Sequence, residues 1–385
     1  MKRALVIGGG FAGCAAAHQL LLLDWDVTIV ESAPFLGAGV RTMWLGGHPY
    51  TFGPRHFLTK SEAVWNYLHE IVPLRHFGGE HEFWTYVESD SQFYSFPIHQ
   101  DDIPRMPEAD QITKELTVTG DVESSQNFEE FWIRSVGPTL YKKMVDGYTR
   151  KMWRIDDNKS LDTFTWSPKG TALKQGPRAA WDSALSGYPV DLSGYDDYFM
   201  HATIGARVIV NTTAAFDLTN KRAQIAGHWH DFDIIVCTAS PDDIFRHALG
   251  RLPYVGRDFH PFVLPIEHAF PGDVSFLYYA GPEKFTRLVE YKKFTGHKSP
   301  HTLIGMEIPS SNGRHYPMPM KKFQQLAARY HAQMPEGVFA MGRLGSYRYS
   351  LDMGACVDQA FELRDQIKSG AGRGVLGEKW RWKGH

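Results

Sequence analysis

Hydrophobic and polar positions along the chain predict short buried strands that alternate with helices at the N-terminus. Residues 3–7 (RALVI) and 27–30 (VTIV) are apolar runs of strand length, and the alanine- and leucine-rich residues 11–23 between them predict a helix. A strand, a helix and a second strand in this order form a βαβ unit, whose two strands are parallel. We therefore expect an α/β fold that begins with a parallel sheet.

Helical and strand-like periodicities continue further along the chain. Apolar and aromatic residues recur at helical spacing over residues 127–153, which predicts one or two helices. Residues 206–239 contain three strand-like runs, ARVIVNT, AQIAGHWH and FDIIVCTA, and the last clear helix is predicted at residues 358–367. No internal repeat is visible, so a repeat architecture is not expected.

The composition is that of an ordinary globular protein. At 385 residues the chain exceeds one average domain, so two or three domains are expected. Hydrophobic residues make up 43% and charged residues 22%, and the formal net charge is -2, which gives no reason to expect a nucleic-acid partner. No segment approaches the run of about 20 apolar residues that spans a membrane, so no membrane association is predicted.

The cysteines carry no metal or disulfide pattern. Cys14, Cys237 and Cys356 lie far apart and form no C-x-x-C pair. This spacing predicts neither a disulfide framework nor a structural zinc site, and no metal-binding residues are predicted. A reducing cytoplasm is the expected compartment.

A glycine-rich turn separates the first strand from the first helix. Gly8, Gly10 and Gly13 form G-x-G-x-x-G, in which the glycines allow a tight turn, close approach of a pyrophosphate and close helix packing, respectively. The free N–H groups at the helix N-terminus favour phosphate binding. Glu31 ends the second strand, where a carboxylate can accept hydrogen bonds from ribose hydroxyls. The pattern predicts a dinucleotide site and leaves NAD and FAD open.

A second glycine turn follows the ribose-binding acid. Gly37 and Gly39 lie within ESAPFLGAGVRT, where NAD domains usually continue directly into another helix. In flavin enzymes of the glutathione-reductase type, such a turn lets the chain pass close to the long FAD molecule. The turn therefore favours FAD.

Several later segments resemble one family along nearly the whole chain, that of UDP-galactopyranose mutase. FPIHQ resembles its lPFN, VGPTLYKKMVDGYTRKMW its vGxxLYxxfxxxYTxKqW, CTASPDDIF its yTGPiDxyF, FTRLVEYKKF its xTRixEhKxF, YPMPM its YYPVxD, and GRLGSYRYSLDM its GRLGxYxYxDM. The glycine motif is shared by many flavoproteins, whereas this co-linear set is specific.

The resemblance implies a fold and a reaction. The expected fold is an α/β Rossmann-like FAD-binding domain with an inserted helical lobe and an antiparallel β-sheet substrate domain. The implied reaction interconverts the pyranose and furanose forms of a nucleotide sugar, with UDP-galactose as the family type. The flavin is active in its reduced form: its N5 bonds to the sugar and no net redox change occurs. Such a cycle requires a cationic and phenolic cradle for the departed diphosphate.

The resemblance also implies roles for individual residues. Arg287, Tyr316, Tyr349 and Tyr148 are expected at the substrate diphosphate; from the residues alone, Arg287 would instead form a surface ion pair with Glu290 or Glu283. The other implied substrate residues are Trp153 of the mobile substrate loop, Asp352, Tyr188 and Arg178. The implied cofactor-binding residues are Gly8, Gly10, Phe11, Ala12, Gly13, Glu31, Gly37, Gly39, Arg55, His56, Arg343, Asp352 and Met353.

The departures from the family pattern concentrate on the substrate side. GPRHFLT replaces GAHxFHT, and YRYSLDM has two residues between Tyr349 and Asp352 where the family has one. The segment that supplies a second diphosphate arginine in the family has no match. Lys169 lies nearest to the missing arginine, and Lys174 and Arg178 are comparable candidates; a lysine would keep the charge and lose the bidentate fork.

Three alternatives follow from these departures. The chain can be a mutase for another nucleotide sugar, such as UDP-N-acetylgalactosamine, dTDP-fucose or a GDP-hexose. It can be an FAD-dependent oxidase or desaturase of the amine-oxidase type, which shares the N-terminal motif. It can also be a flavin-binding protein without catalysis.

The expected domains are discontinuous in sequence. Residues 1–75, 196–245 and 325–385 are assigned to the FAD-binding domain, residues 100–165 to the helical lobe with the mobile loop, and residues 76–99, 166–195 and 246–324 to the sheet domain. The ligands are expected in the cleft between domains. Bacterial relatives in the family are commonly homodimers, so a homodimer is expected.

Overall fold

The computed structural model describes residues 1–162, 173–181, 184–370 and 372–377. The strands are β1 (Arg3–Ile7), β2 (Asp26–Val30), β3 (Met43–Leu45), β4 (His48–Tyr50), β5 (Phe57–Thr59), β6 (Leu74–His76), β7 (Glu82–Val87), β8 (Gln92–Phe96), β9 (Leu185–Pro189), β10 (Arg207–Ile209), β11 (Ala215–Asp217), β12 (Arg222–Ile225), β13 (His228–Asp231), β14 (Ile234–Cys237), β15 (Tyr254–Leu264), β16 (Val274–Tyr279), β17 (Arg287–Glu290), β18 (Thr302–Ser310), β19 (Tyr316–Pro317), β20 (Val338–Ala340) and β21 (Gly374–Val375).

The α-helices are α1 (Phe11–Leu21), α2 (Glu62–Ile71), α3 (Ala109–Leu116), α4 (Phe128–Val136), α5 (Pro138–Tyr141), α6 (Gly147–Trp153), α7 (Asp196–Ala202), α8 (Pro241–Ile244), α9 (Lys292–Thr295), α10 (Lys321–His331), α11 (Gly342–Gly345) and α12 (Met353–Lys368). A π-helical segment, Lys142–Asp146, joins α5 to α6. Among the described residues, no helix has both the length and the apolar character needed to cross a membrane.

A six-stranded parallel sheet carries the N-terminal βαβ unit. Its order is β10-β2-β1-β14-β20-β21, and every neighbouring pair is parallel. Ala15, Ala16 and Ala17 of α1 are fully buried, which lets the helix lie close to the sheet and to α12. The predicted α/β fold with a Rossmann-like parallel sheet is confirmed.

A second sheet has seven strands and, together with the parallel sheet, lines one cavity. Its order is β19-β15-β18-β17-β16-β7-β8. The expected antiparallel arrangement holds for every neighbouring pair except β16 and β7, which run parallel. Because β7 and β16 lie far apart in sequence, no turn signal constrains their relative direction.

Two local features differ from the sequence-based expectation. The run AQIAGHWH forms a hairpin, β12 and β13, because Ala226 and Gly227 adopt positive φ angles of 49° and 84° between them. Strand β9, which falls in the range 166–195 assigned to the sheet domain, pairs instead with β5 and β6 in a separate three-stranded sheet.

The predicted helical lobe contains α3 to α6. Asn127 caps α4, since its side chain accepts a hydrogen bond from the Glu130 N–H at 3.0 Å. The positions with helical spacing form the core of the lobe and are buried: Phe128, Phe131, Trp132, Val136, Leu140 and Met144. Lys143, on the π-helical segment, forms a buried ion pair with Asp90, at the β7–β8 turn, and a second pair with Glu108, whose side chain is 38% exposed. The pair with Asp90 connects the lobe to the seven-stranded sheet.

Candidate active site

A cavity of about 530 Å³ opens where the carboxyl ends of the parallel strands face the seven-stranded sheet. On one side it is lined by residues that follow β1, β2, β14 and β20 directly, which is the usual ligand position in parallel α/β sheets. On the other side it is lined by side chains of the seven-stranded sheet, namely Arg257, Phe276, Tyr278, Arg287 and Tyr316.

The glycine turn has the geometry that its spacing predicts. Gly8 has a φ of +98°, and a Cβ at Gly13 would lie 1.9 Å from the Gly8 carbonyl oxygen, so only glycine fits at Gly13. A Cβ at Gly10 would meet no protein atom closer than the Ala38 Cβ at 3.6 Å. Gly10 therefore leaves open space at the N-terminus of α1, where an anionic group can approach the backbone.

Glu31 is fixed at the end of β2 by backbone hydrogen bonds. The Gly9 N–H donates to its Oε2 at 2.6 Å, and the Ala33 N–H donates to its Oε1 at 2.7 Å. Glu31 lines the cavity. A carboxylate has about four lone-pair positions, so this fixed group can still accept hydrogen bonds from a ribose.

The second glycine turn is bonded to the first. The Gly37 N–H donates to the Gly9 carbonyl oxygen at 2.8 Å, and a Cβ at Gly37 would lie 2.4 Å from the Phe199 ring. Gly39 lines the cavity, and its carbonyl oxygen accepts a hydrogen bond from Arg55 Nε at 3.3 Å. The two turns therefore form one continuous edge of the cavity.

Arg287 is held by an acid on the next strand. Its Nη2 lies 2.8 Å from Oε1 of Glu307, which is 2% exposed. Burial on its own would lower the pKa of Arg287, but Glu307 and the surrounding tyrosines raise it well above its usual value. Glu290, one of the predicted partners, instead accepts hydrogen bonds from the N–H groups of Ala269 and Phe270.

Arg257 is a second arginine on the same carboxylate. Its Nε lies 3.6 Å from Oε2 of Glu307, and its side chain is 4% exposed. Arg257 was not among the predicted site residues, because an arginine in YVGRDFHPF belongs to no motif. The alternation of a half-buried strand gives no signal either, because Val255, Gly256 and Arg257 are all buried in β15.

Tyr316 lies among the arginines. Its ring centroid is 4.9 Å from the guanidinium carbon of Arg257 and 5.3 Å from that of Arg343. Burial tends to raise the pKa of this phenol, but the nearby Arg287, Arg257 and Arg55 charges lower it below its ordinary value. Tyr349 lies edge-on to Tyr316, with ring centroids 5.4 Å apart.

The loop after α11 contributes further residues to the cavity. Arg343 donates from Nε and Nη2 to the Leu351 carbonyl oxygen at 3.0 and 2.8 Å. Asp352 caps α12 by accepting from the Ala355 N–H at 2.9 Å. Arg343, Asp352 and Met353 all line the cavity, so the extra residue before Asp352 does not remove it from the site.

The lining of the cavity includes most of the predicted site residues. They are Gly8, Gly10, Phe11, Ala12, Glu31, Gly39, Arg55, His56, Tyr148, Arg287, Tyr316, Arg343, Tyr349, Asp352 and Met353. Gly13 and Gly37 lie behind this surface and shape its backbone. Burial raises the pKa of Tyr148 well above its usual value, so this tyrosine stays a neutral hydrogen-bond donor.

Among the described residues, the cavity lining does not include three of the predicted substrate residues. Arg178 donates to Asp102 Oδ1 at 3.0 Å, an ion pair with a carboxylate that is 1% exposed. Tyr188 is 2% exposed and packs edge-on against Tyr195. Trp153 is 1% exposed and packs edge-on against Tyr349.

Lys169, the predicted replacement for the missing diphosphate arginine, lies outside the described residues. Of its two comparable candidates, Lys174 pairs with His99 through the backbone, and Arg178 is held by Asp102. The cavity instead brings Arg257 next to Arg287. Arg178 pairs with Asp102 because that acid is buried beside it, and Arg257 reaches Glu307 because β15 pairs with β18. Neither contact can be predicted from a linear motif.

The cavity fits a flavin dinucleotide. Gly10 leaves an open approach to backbone N–H groups for phosphates, Glu31 can hold a ribose, and Ala12, Met353 and Cys356 provide an apolar surface beside Arg343. The arginine and tyrosine cluster lies beyond this surface and suits a second anionic ligand. The cavity can therefore bring a dinucleotide and a diphosphate together.

Comparisons with known proteins agree with this geometry. Residues 143–349, more than half of the chain, match the family model described as UDP-galactopyranose mutase, and residues 6–71 match the NAD(P)-binding Rossmann-like domain. The chain is 24% identical to the dTDP-fucopyranose mutase of Escherichia coli over 94% of this chain and 97% of that protein. It is also 24% identical to a probable UDP-galactopyranose mutase of Klebsiella pneumoniae over 96% and 95%, respectively.

A solved structure shares the fold. A crystal structure of reduced UDP-galactopyranose mutase superimposes with a TM-score of 0.81 at 15% identity, covering 97% of each chain. The family match begins after α5 and spans α6, Arg257, Arg287 and Tyr349, so it includes the arginine pair of the cavity. The chain therefore belongs to the UDP-galactopyranose mutase family of flavin-dependent nucleotide-sugar mutases.

Proposed function

We propose that this chain interconverts the pyranose and furanose forms of a hexose linked to a pyrimidine nucleoside diphosphate. One observation carries the proposal: Glu307 holds Arg257 and Arg287 side by side in a cavity that also contains a dinucleotide-binding turn. The two curated relatives named above act on sugars of UDP and dTDP, which share a pyrimidine base and a diphosphate.

The cofactor proposed for this reaction is reduced FAD. When bound, it supplies a nucleophilic nitrogen for the anomeric carbon of the sugar. The glycine turn and Glu31 would hold its pyrophosphate and ribose, and Arg343 would lie beside its ring system. The open space at Gly10 and the second turn at Gly39 support a ligand as long as FAD.

The chain's own residues stabilise the leaving diphosphate. Arg257 and Arg287 neutralise the charge that develops when the bond between the anomeric carbon and the diphosphate breaks. Tyr148, Tyr316 and Tyr349 donate phenolic hydrogen bonds to the same group. Because these side chains are held in place before the reaction, the diphosphate stays close and its return to the sugar is effectively intramolecular.

The test is isotope exchange. The nucleotide sugar carries an oxygen label in the bridge between the anomeric carbon and the diphosphate, and nuclear magnetic resonance measures movement of the label to a non-bridging position. We expect exchange and a furanose product with dithionite-reduced protein, and none with oxidised protein. The panel contains UDP-galactose, dTDP-fucose, UDP-N-acetylgalactosamine and a GDP-hexose.

The outcomes separate the alternatives. Oxygen consumption with an amine or polyene and no exchange would indicate an oxidase or desaturase. Flavin and nucleotide-sugar binding without exchange would indicate a non-catalytic flavoprotein. Exchange with the GDP-hexose alone would overturn the pyrimidine preference.

We further propose a cytoplasmic homodimer. The three cysteines, Cys14, Cys237 and Cys356, are buried and free, which suits a reducing compartment. The family resemblance supports the dimer. Light scattering during size-exclusion chromatography measures the oligomeric state, and a monomer at micromolar concentration would contradict it.

A further inference from the structure

His315 is a residue of the cavity that the proposed reaction has not used. Its ring lines the cavity and stacks on Phe52, with centroids 4.8 Å apart and planes 11° apart. The backbone N–H of His315 donates to the Val255 carbonyl oxygen at 3.2 Å. The Nδ1 atom is buried, and none of the described residues forms a hydrogen bond with it.

The backbone before His315 is fixed on both sides. Asn312 Nδ2 donates to Asp258 Oδ1 at 2.8 Å, and Arg314 Nη1 donates to Asp242 Oδ1 at 2.9 Å. Gly313 has a φ of +75°, and a Cβ there would lie 2.7 Å from the His315 ring. Glycine at this position therefore makes room for the imidazole, and the ring is positioned before any ligand binds.

The surroundings of His315 keep its imidazole neutral. Burial and the charges of Arg55, Arg257 and Arg343 lower its pKa to about 4, and Glu307 only partly opposes them. A neutral imidazole has one nitrogen that accepts a hydrogen bond, whereas the guanidinium groups around it only donate. His315 therefore adds an acceptor to a wall that consists largely of donors.

The charges of arginines from both ligand regions of the cavity, Arg257 and Arg343, act on the imidazole of His315. Arg257 and Glu307 belong to the diphosphate side. Arg343 belongs to the cofactor side, since it follows Gly342, where a Cβ would lie 2.8 Å from the Ala12 Cβ. Under the proposed function, the anomeric carbon passes from the diphosphate to the cofactor, so the sugar must occupy the space between them.

We propose that His315 determines sugar specificity: its imidazole accepts a hydrogen bond from a ring hydroxyl of the bound hexose. The inference rests on the proposed function for the identity of the ligand. A site with a buried acceptor discriminates against an analogue that lacks the matching hydroxyl, because the acceptor is then left unpaired.

The experiment compares His315→Phe with the unmodified protein. Phenylalanine keeps a ring on Phe52 and removes both nitrogens. Calorimetry measures the dissociation constant of the nucleotide sugar of the panel that binds most tightly and of analogues that each lack one ring hydroxyl. We expect the unmodified protein to bind one analogue roughly 10-fold more weakly than the parent sugar, and His315→Phe to bind the two equally.

Flavin absorbance and melting temperature establish that the variant is folded and loaded. If His315→Phe does not fold, His315→Asn provides the same comparison with a shorter acceptor, and we expect an intermediate discrimination. Unchanged discrimination by the folded variant for every analogue would overturn the proposal. Because the readout is binding, it is independent of isotope exchange: a chain that binds these sugars without exchange would contradict the proposed function and leave the His315 comparison intact.

Discussion

Glu307 and Arg287 are register partners on neighbouring strands, and their side chains form an ion pair of 2.8 Å. The other carboxylate oxygen of Glu307 lies 3.6 Å from Arg257, on the strand at its other side. One buried acid thus compensates two arginines that would otherwise repel each other. The two arginines share the single negative charge of Glu307, and a bound diphosphate would supply further counter-charge beside them.

Replacing Glu307 with Gln keeps the shape of the side chain and removes its charge. We expect the free energy of unfolding to fall by about 3 kcal/mol without ligand, because the buried Arg257 and the half-buried Arg287 lose their counter-ion. UDP should then raise the melting temperature of Glu307→Gln more than that of the unmodified protein, since it restores the missing charge. Thermal unfolding with and without UDP measures both effects.

Glu290→Gln is the matched control on the same sheet. Glu290 is fully buried, but it serves the backbone of Ala269 and Phe270. This variant should lose stability while its UDP-induced shift stays unchanged. Equal shifts for Glu307→Gln and the unmodified protein would show that Glu307 does not balance the arginine pair.

The glycines of the first turn should separate folding from cofactor binding. We expect Gly10→Ala to fold normally, because its new Cβ would meet no protein atom closer than 3.6 Å. The variant should bind FAD roughly 10-fold more weakly, because the methyl group occupies the space through which the pyrophosphate approaches the backbone. Gly13→Ala should destabilise the apoprotein, because its Cβ would lie 1.9 Å from the Gly8 carbonyl oxygen. Melting temperature of the apoprotein and flavin titration measure the two effects. An apo Gly10→Ala variant as unstable as Gly13→Ala would contradict this division.

Tyr316 should ionise before an ordinary tyrosine. Burial opposes this, but the positive charges of Arg287, Arg257 and Arg55 lower its pKa. The difference between ultraviolet pH titrations of the unmodified protein and Tyr316→Phe isolates this phenol among the 17 tyrosines. The pKa should rise when UDP binds, since the diphosphate screens the arginines, and fall in Glu307→Gln, since that acid opposes the shift. A pKa that does not respond to UDP would place the diphosphate elsewhere.

His81 should make the protein sensitive to acid. It is 3% exposed and stacks on Phe294, and within the described part of the chain neither ring nitrogen has a hydrogen-bond partner. Burial, with Arg75 and Lys293, lowers its pKa to about 3 from an ordinary 6.5. Between these two values the imidazole of His81 is protonated in the unfolded chain and neutral in the folded protein, so stability falls as the pH falls through this window.

Replacing His81 with Phe should remove this contribution. The free energy of unfolding should fall between pH 6.5 and pH 3 in both proteins, and this fall should be about 4 kcal/mol smaller in His81→Phe. Urea unfolding at a series of pH values measures the difference, and a substitution at the exposed His228 is the control. Parallel pH dependences for His81→Phe and the unmodified protein would contradict the prediction.

Local chemistry explains which parts of the site could be predicted. The glycine turn, α1 and the ribose-binding acid lie within one βαβ unit, so short spacings are enough to place them. Arg287, Tyr316, Arg343 and Tyr349 were found through the family segments, and the structure places all four at one cavity. Their convergence could not be derived from spacing, because they lie on β17, β19 and the α11–α12 segment.

Elements whose contacts lie close in the chain could be predicted from the sequence: the parallel βαβ unit, the two glycine turns and the amphipathic helices of the lobe. Long-range packing sets three further features: Arg257 joins Arg287, Asp102 holds Arg178 outside the cavity lining, and His315 faces the site. A buried charge takes the counter-ion that folding brings within about 4 Å, and distance along the chain does not reveal which one that will be.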